Sequence, residues 1–100
     1  MILIRDVFQL EFGKSKEAVA AWKEGLALFE KSGMKPGTTR LLTDLVGNYY
    51  TLVFEAQFES LSHYEEVMKA EMGKPEWKDW HAKVLKFNRG GHREIFNIVQ

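Results

Sequence analysis

The chain has no cysteine, which excludes disulfides, thiol nucleophiles and zinc–thiolate sites. It has only two prolines, Pro36 and Pro75, so few places where a helix or strand is forced to stop. No apolar run approaches the roughly 20 residues of a membrane span. The start of the chain, Met1 to Phe12, alternates and carries Arg5, Asp6 and Glu11, unlike a secretory leader. An excess of one charge is also missing. Fourteen basic and fourteen acidic side chains cancel, with no basic stripe or acidic block, which argues against nucleic acid or a membrane surface as partner. Gly90-Gly91 is too short for a phosphate-binding loop and precedes a strand. No two histidines have metal-ligand spacing, and the serines read as caps and turns rather than as a nucleophile elbow. The expectations are a cytoplasmic protein with no metal site and no cofactor.

What is present is one domain over residues 1–100, 45% hydrophobic and 28% charged, the balance of a soluble globule with a single core. Thirteen per cent of the residues are aromatic, three of them Trp, enough for a packed core, an interface or an aromatic pocket. The most legible stretch is Thr38 to Phe58, two alternating runs around Gly47-Asn48. Such a pair predicts a two-residue hairpin turn, because those turns need φ > 0. The register follows: Leu45 opposite Tyr50, Thr43 opposite Leu52, Leu41 opposite Phe54, Arg40 opposite Glu55. Side chains alternate faces along a strand. Leu41, Leu45, Tyr50, Leu52 and Phe54 therefore form a core face, and Arg40, Leu42, Asp44, Val53 and Glu55 the other.

Ahead of the hairpin, Ile2 to Phe12 reads as a strand. A helix runs from an N-cap at Ser15 to about Lys31, with Ala18, Val19, Trp22, Leu26 and Phe29 on one side and Gly33 as its stop. Pro36-Gly37 reads as a loop. After the hairpin a helix capped by Ser60 or Ser62 carries Leu61, Tyr64, Met68 and Met72. Gly73-Lys74-Pro75 breaks it, and Pro75 opens a second segment to about Asn88, with Trp77, Trp80, His81 and Val84 on one face. Gly90-Gly91 ends that segment, and Arg93 to Val99 is the last strand. The order β-α-β-β-α-β is the ferredoxin-like split βαβ pattern: an α+β fold with a four-stranded antiparallel sheet and its helices on one face.

The other sheet face collects Arg5, Gln9, Arg40, Asp44, Glu55, Arg93 and Asn97 with Leu3, Val7, Leu42, Val53, Ile95 and Val99. A solvated face reads more purely polar. Two readings remain: a wet face with scattered aliphatics, or a two-fold interface with a second copy through Arg5, Arg40, Leu42, Val53 and Glu55.

On LLTDLVGNYYTLVFE, FESLSHYEEVMKAEMGKPEWKDWHAKV and HREIFNIV, the whole chain resembles the dimeric α/β-barrel superfamily and, within it, the NIPSNAP-type branch. The resemblance implies a homodimer of ferredoxin-like protomers packed sheet to sheet. It also implies kinship with cofactor-free quinone-forming monooxygenases, haem-degrading monooxygenases and members of unassigned activity, so fold alone does not fix function.

Two residues are candidates for chemistry. His81 lies on the apolar face of the Pro75 helix and suits a general base; its plain alternative is a packed histidine. Asp6 points by alternation to the helix-covered face, where a carboxylate needs a partner. It could orient His81, pair with a lysine of the first helix, or be turned outward by a bulge. A pocket of Asp6, Trp22, Tyr50, Phe54, Trp77 and His81 would be apolar with a few polar handles, as ligand sites are. The expected ligand is small and apolar or aromatic, and the expected chemistry, if catalytic, is that of a cofactor-free monooxygenase. The resemblance offers haem as an alternative, with His81 as iron ligand. This sequence departs from the haem-degrading pattern at the strand-one asparagine, replaced near Phe8, and at the tryptophan, replaced near Val67 or Met68. The third reading is a non-catalytic dimerising module.

Overall fold

The computed structural model describes residues 1–35 and 37–100; Pro36, expected in a loop, lies outside the described residues. The elements are β1 (Ile2–Leu10), α1 (Ser15–Lys31), β2 (Thr39–Thr43), β3 (Thr51–Phe58), α2 (Leu61–Met72), α3 (Pro75–Leu85) and β4 (Asn88–Asn97). The four strands form one antiparallel sheet in the order β2-β3-β1-β4. This is the ferredoxin-like arrangement, with the second helix broken in two at Gly73-Lys74.

Local chemistry accounts for most boundaries. α1 stops in a Schellman motif: Gly33, at φ +101°, gives its N–H to Glu30 O, and Met34 gives its N–H to Phe29 O. Phe29 and Met34 are both in the core, which supplies the apolar contact that goes with this cap. Ser15 is the first helical residue rather than the cap; Lys14 holds the cap position with no side-chain bond. Ser60 caps α2, its hydroxyl accepting from His63 N at 3.1 Å. Pro75 stands in the first turn of α3, where its missing N–H costs nothing.

Two sequence expectations about strands change. The hairpin register is as predicted, from Thr39 opposite Ala56 to Thr43 opposite Leu52, but the turn is not a two-residue one. Residues 44–50 form a longer loop, tied by Asp44, whose Oδ1 accepts from Thr51 N at 2.9 Å. The positive φ falls at Gly47 (+140°) and Tyr50 (+57°) rather than at Asn48. Leu45, placed in the core by alternation, is 96% exposed, and Val46 is 94% exposed. A carboxylate that satisfies the strand end releases the residues beyond it from the ladder.

β4 begins at Asn88 and runs through Gly90-Gly91 instead of starting at Arg93. A Cβ on Gly91 would lie 2.4 Å from Val7 O, so the glycine serves close approach of two strands and does not mark a break. The pairing of Asp6 with Arg93 and of Arg5 with Glu94 fixes the phase. Arg93, Ile95 and Asn97 thus sit on the helix side, and His92, Glu94 and Phe96 on the open side, the reverse of the sequence assignment. A shift of one residue swaps every side chain between faces.

The core lies between sheet and helices, around Ile4, Leu10, Trp22, Phe29, Phe54 and Trp80. Trp22 stacks on Phe54 (centroids 5.1 Å apart) and meets Trp80 edge-on at 4.9 Å. Gly25 lets Trp80 press on α1: a Cβ there would stand 2.3 Å from the indole. A part-buried polar cluster ties the end of α1 to the α2–α3 junction. Glu71, 1% exposed, accepts from the Ser32 hydroxyl, and Lys74 Nζ donates to Ser32 Oγ at 2.7 Å and lies 3.4 Å from the Glu71 carboxylate.

Candidate functional site

A cavity of about 160 Å³ opens between the sheet and the helices. β1 supplies Asp6 and Phe8, β3 Phe54, α1 Trp22, α2 Tyr64 and Met68, α3 Trp77 and His81, and β4 Asn88 and Arg93. Helical spacing does the positioning. Trp77 and His81, one turn apart, stack with ring centroids 4.4 Å apart and planes within 13°. Trp22 faces them from α1 because it shares that helix's buried stripe with Ala18, Ala21 and Phe29.

Five of the six expected pocket residues meet here: Asp6, Trp22, Phe54, Trp77 and His81. Tyr50 does not. It ends the 44–50 loop, packs on Phe12 with centroids 5.1 Å apart, and uses its carbonyl to accept from Leu10 N at 2.8 Å. The loop's left-handed Tyr50 takes the ring out of the alternation that predicted its direction. Tyr64 and Met68 of α2, which the sequence did not single out for the pocket, line the cavity.

Asp6 faces inward, as alternation requires, but its partner is neither His81 nor a lysine of α1. Arg93 Nε donates to Asp6 Oδ1 at 2.5 Å and Nη2 to Oδ2 at 3.4 Å. No hydrogen bond joins Asp6 to His81 among the described residues. The hydrogen bond to Asp6 raises the Arg93 pKa and keeps the guanidinium charged. Its plane lies over the Tyr64 ring, 5.7 Å from the centroid. Burial raises the Tyr64 phenol, with Arg93 working against it and Asp6 adding to it. Sequence reasoning missed Arg93 because it put β4 out of phase. The available signal was the inward acid itself: of the arginines in the strands read from the sequence, Arg5 and Arg40 belong to the other face, and Arg93 is left.

Three residues that line the cavity carry a polar atom the protein leaves unpaired. Trp22 Nε1, Trp77 Nε1 and Asn88 Oδ1 are buried with no hydrogen-bond partner among the described residues. Each such group costs about 1–3 kcal/mol when left unpaired. Trp80, in the same aromatic cluster, gives its N–H to Ala21 O at 2.7 Å. The arrangement combines aromatic walls, a fixed cation, a histidine and unengaged donors and an acceptor, which is the makeup of a small-molecule site. Among the described residues no group of three His, Asp or Glu side chains stands where it could hold a metal ion.

On the open face, Arg5 Nε donates to Glu55 Oε2 at 2.9 Å and Arg40 Nε to Glu55 Oε1 at 3.0 Å. Glu55 is only 1% exposed. Burial alone would raise its carboxyl, but the two arginines outweigh burial and hold it below its ordinary value. Leu42 is exposed beside them and Val53 half-buried. No helix among the described residues is long and apolar enough to cross a membrane.

The chain matches no protein-family model and no curated protein. Solved structures do resemble it. An uncharacterised NIPSNAP domain protein from Burkholderia xenovorans superposes with a TM-score of 0.84 at 16% identity, over 99% of this chain and 95% of the other. A NIPSNAP family protein with unknown function from Agrobacterium tumefaciens gives 0.85 at 17% identity, over 96% and 86%. SnoaB, a cofactor-independent oxygenase from Streptomyces nogalater, gives 0.73 at 14% identity, over 99% and 93%. At such identities the likeness is one of fold. The chain has the ferredoxin-like fold of NIPSNAP-domain proteins and of this class of oxygenase, in agreement with the resemblance read from its sequence.

Proposed function

We propose that this protein binds a small aromatic ligand in the cavity between sheet and helices and acts on it as a cofactor-independent oxygenase, working as a homodimer joined through the open sheet face. The observation that carries the reading is the cavity: an aromatic enclosure into which Arg93 and His81 both bring polar groups. The fold shared with a cofactor-independent oxygenase supports it. In the proposed reaction His81 takes a proton from a CH2 group next to a carbonyl. Arg93 stabilises the enolate oxygen that forms, since a charged donor in a partly dry site favours developing negative charge. Dioxygen oxidises the enolate, so that CH2 and O2 become C=O and H2O. Asp6 positions Arg93, in place of the role beside His81 that the sequence suggested.

Haem does not fit this cavity. Its volume is about 160 Å³, below the roughly 300–1,000 Å³ of sites for drug-sized ligands, and the His81 ring lies flat against Trp77. The dimer rests on the open face, where Leu42, Val53 and Phe96 lie among Arg5, Arg40 and Glu94, a mixture that suits a self-complementary contact.

The test is oxygen uptake with an enolisable benzylic ketone such as 2-indanone. His81→Ala is expected to lower turnover about 100-fold or more, the usual weight of a general base. Equal turnover in the variant removes His81 from the chemistry, and no uptake by the unaltered protein with enolisable benzylic ketones sinks the oxygenase reading.

A further inference from the structure

We infer that the cavity is built for a single aromatic ring bearing both a carbonyl oxygen and a hydroxyl, a monocyclic hydroxyaryl ketone or aldehyde. The inference rests on the reading that the cavity binds a ligand, and goes beyond it in naming the ligand's size and polar pattern.

Size comes first. The cavity holds about 160 Å³, close to the roughly 150 Å³ of an apolar protein cavity that accommodates one benzene. Fused systems of three rings exceed it. The walls select for a flat ring: Phe8, Trp22, Phe54 and Trp77 present aromatic surface from β1, α1, β3 and α3.

The polar pattern comes from what the protein leaves unpaired. Trp22 Nε1 and Trp77 Nε1 are donors without acceptors, and Asn88 Oδ1 is an acceptor without a donor, all buried among the described residues and all on residues that line this one cavity. Trp22 is itself 5% exposed. The third indole of the same lining, Trp80, is satisfied by the protein itself, its N–H going to Ala21 O. The two open indoles call for ligand oxygen that accepts, and the Asn88 carbonyl calls for a ligand hydroxyl that donates. A plain hydrocarbon ring would leave all three unpaired, and sites with buried polar groups discriminate strongly against ligands that cannot pair them.

The experiment is an NMR titration of the indole N–H signals under nitrogen, so that no turnover is needed. The probes are 4-hydroxyacetophenone, its hydrocarbon analogue 4-ethyltoluene, and the three-ring ketone anthrone. The expected result is that 4-hydroxyacetophenone moves the Trp22 and Trp77 signals, leaves that of Trp80 in place, and binds at least about tenfold more tightly than 4-ethyltoluene, the scale of one lost hydrogen bond. Trp77→Phe keeps a ring and deletes the N–H; Asn88→Ala deletes the acceptor without touching an indole. Either is expected to shrink the preference over the hydrocarbon to about threefold or less. Equal binding of the hydrocarbon, tighter binding of anthrone, binding that leaves both indole signals unmoved, or no binding of 4-hydroxyacetophenone overturns the inference. Binding without oxygen uptake would overturn only the oxygenase reading. Oxygen uptake on 2-indanone with unmoved Trp22 and Trp77 signals would overturn only this one.

Discussion

Gly25 is the residue on which α1 and α3 meet most closely. Alanine is the better helix former by about 1 kcal/mol, so an exposed glycine here would be a candidate for improvement. The Trp80 indole reverses that sign, since a methyl group would enter at 2.3 Å from its ring. Gly25→Ala is expected to destabilise by a net of about 1–3 kcal/mol, read as a fall in melting temperature of about 4–8 °C for each kcal/mol; a melt at or above the wild-type value would contradict the contact. Glu55 makes the corresponding argument for charge. Its folded pKa is lowered by Arg5 and Arg40. The stability it contributes is therefore present above its ordinary value near 4.5 and lost as pH falls through the lower folded value. Urea melts between pH 6 and pH 3 are expected to show this loss, and Glu55→Gln to flatten that part of the profile. An unchanged acid limb in the variant would assign the loss to other carboxylates. Glu55 was legible as a sheet-face residue opposite Arg40, but its burial was not, because that depends on Arg5 arriving from β1, 50 residues away in the chain.

Among the elements, β4 is the one whose meaning changed most. Gly90-Gly91 carries the composition of a stop, and only contact with β1 makes it part of a strand. Gly91→Ala would set a methyl group against the Val7 carbonyl, a backbone atom that cannot swing aside. A loss of about 2–3 kcal/mol is expected, with faster amide exchange along β4 as the local sign. The 44–50 loop gives the opposite expectation. Leu45 and Val46 are apolar but almost wholly exposed, so Leu45→Ser with Val46→Ser is expected to leave monomer stability within about 0.5 kcal/mol. A larger loss would mean that the loop packs against the fold in solution. The helices were legible to within a residue or so at their starts, because their caps and stops are local: Ser60, Gly33, Pro75.

For the whole molecule, the proposed assembly rests on the open face. Burying it against a second copy would cover Leu42, Val53 and Phe96 and remove a mixed apolar surface from water. Sedimentation at micromolar concentration is expected to give twice the monomer mass. Leu42→Glu, a like charge meeting itself across a two-fold axis, is expected to shift the protein to monomer with little change in its fold by circular dichroism. A monomer in the unaltered protein would sink the sheet-to-sheet assembly. The candidate site belongs to this scale as well. Asp6, Trp22, Phe54, Trp77 and His81 could be gathered from the sequence, since each follows from a strand's alternation or a helix's stripe in a fold of known layering. Tyr50 could not be excluded by the same logic, because it lies past the point where the loop leaves the ladder.

By itself the sequence determined the seven elements, the apolar faces of all but β4, the hairpin register and thereby the layered α+β architecture. These depend on periodicity, caps and turn residues, which act over a few neighbouring positions. Tertiary structure alone decided the phase of β4, the pairing of Asp6 with Arg93 across 87 residues, and which indole N–H is satisfied and which is left unpaired. Those are settled when distant segments meet. A strand read alone keeps its alternation but carries no mark of which phase faces the core, and a slip of one residue exchanges an arginine in the site for one in solvent.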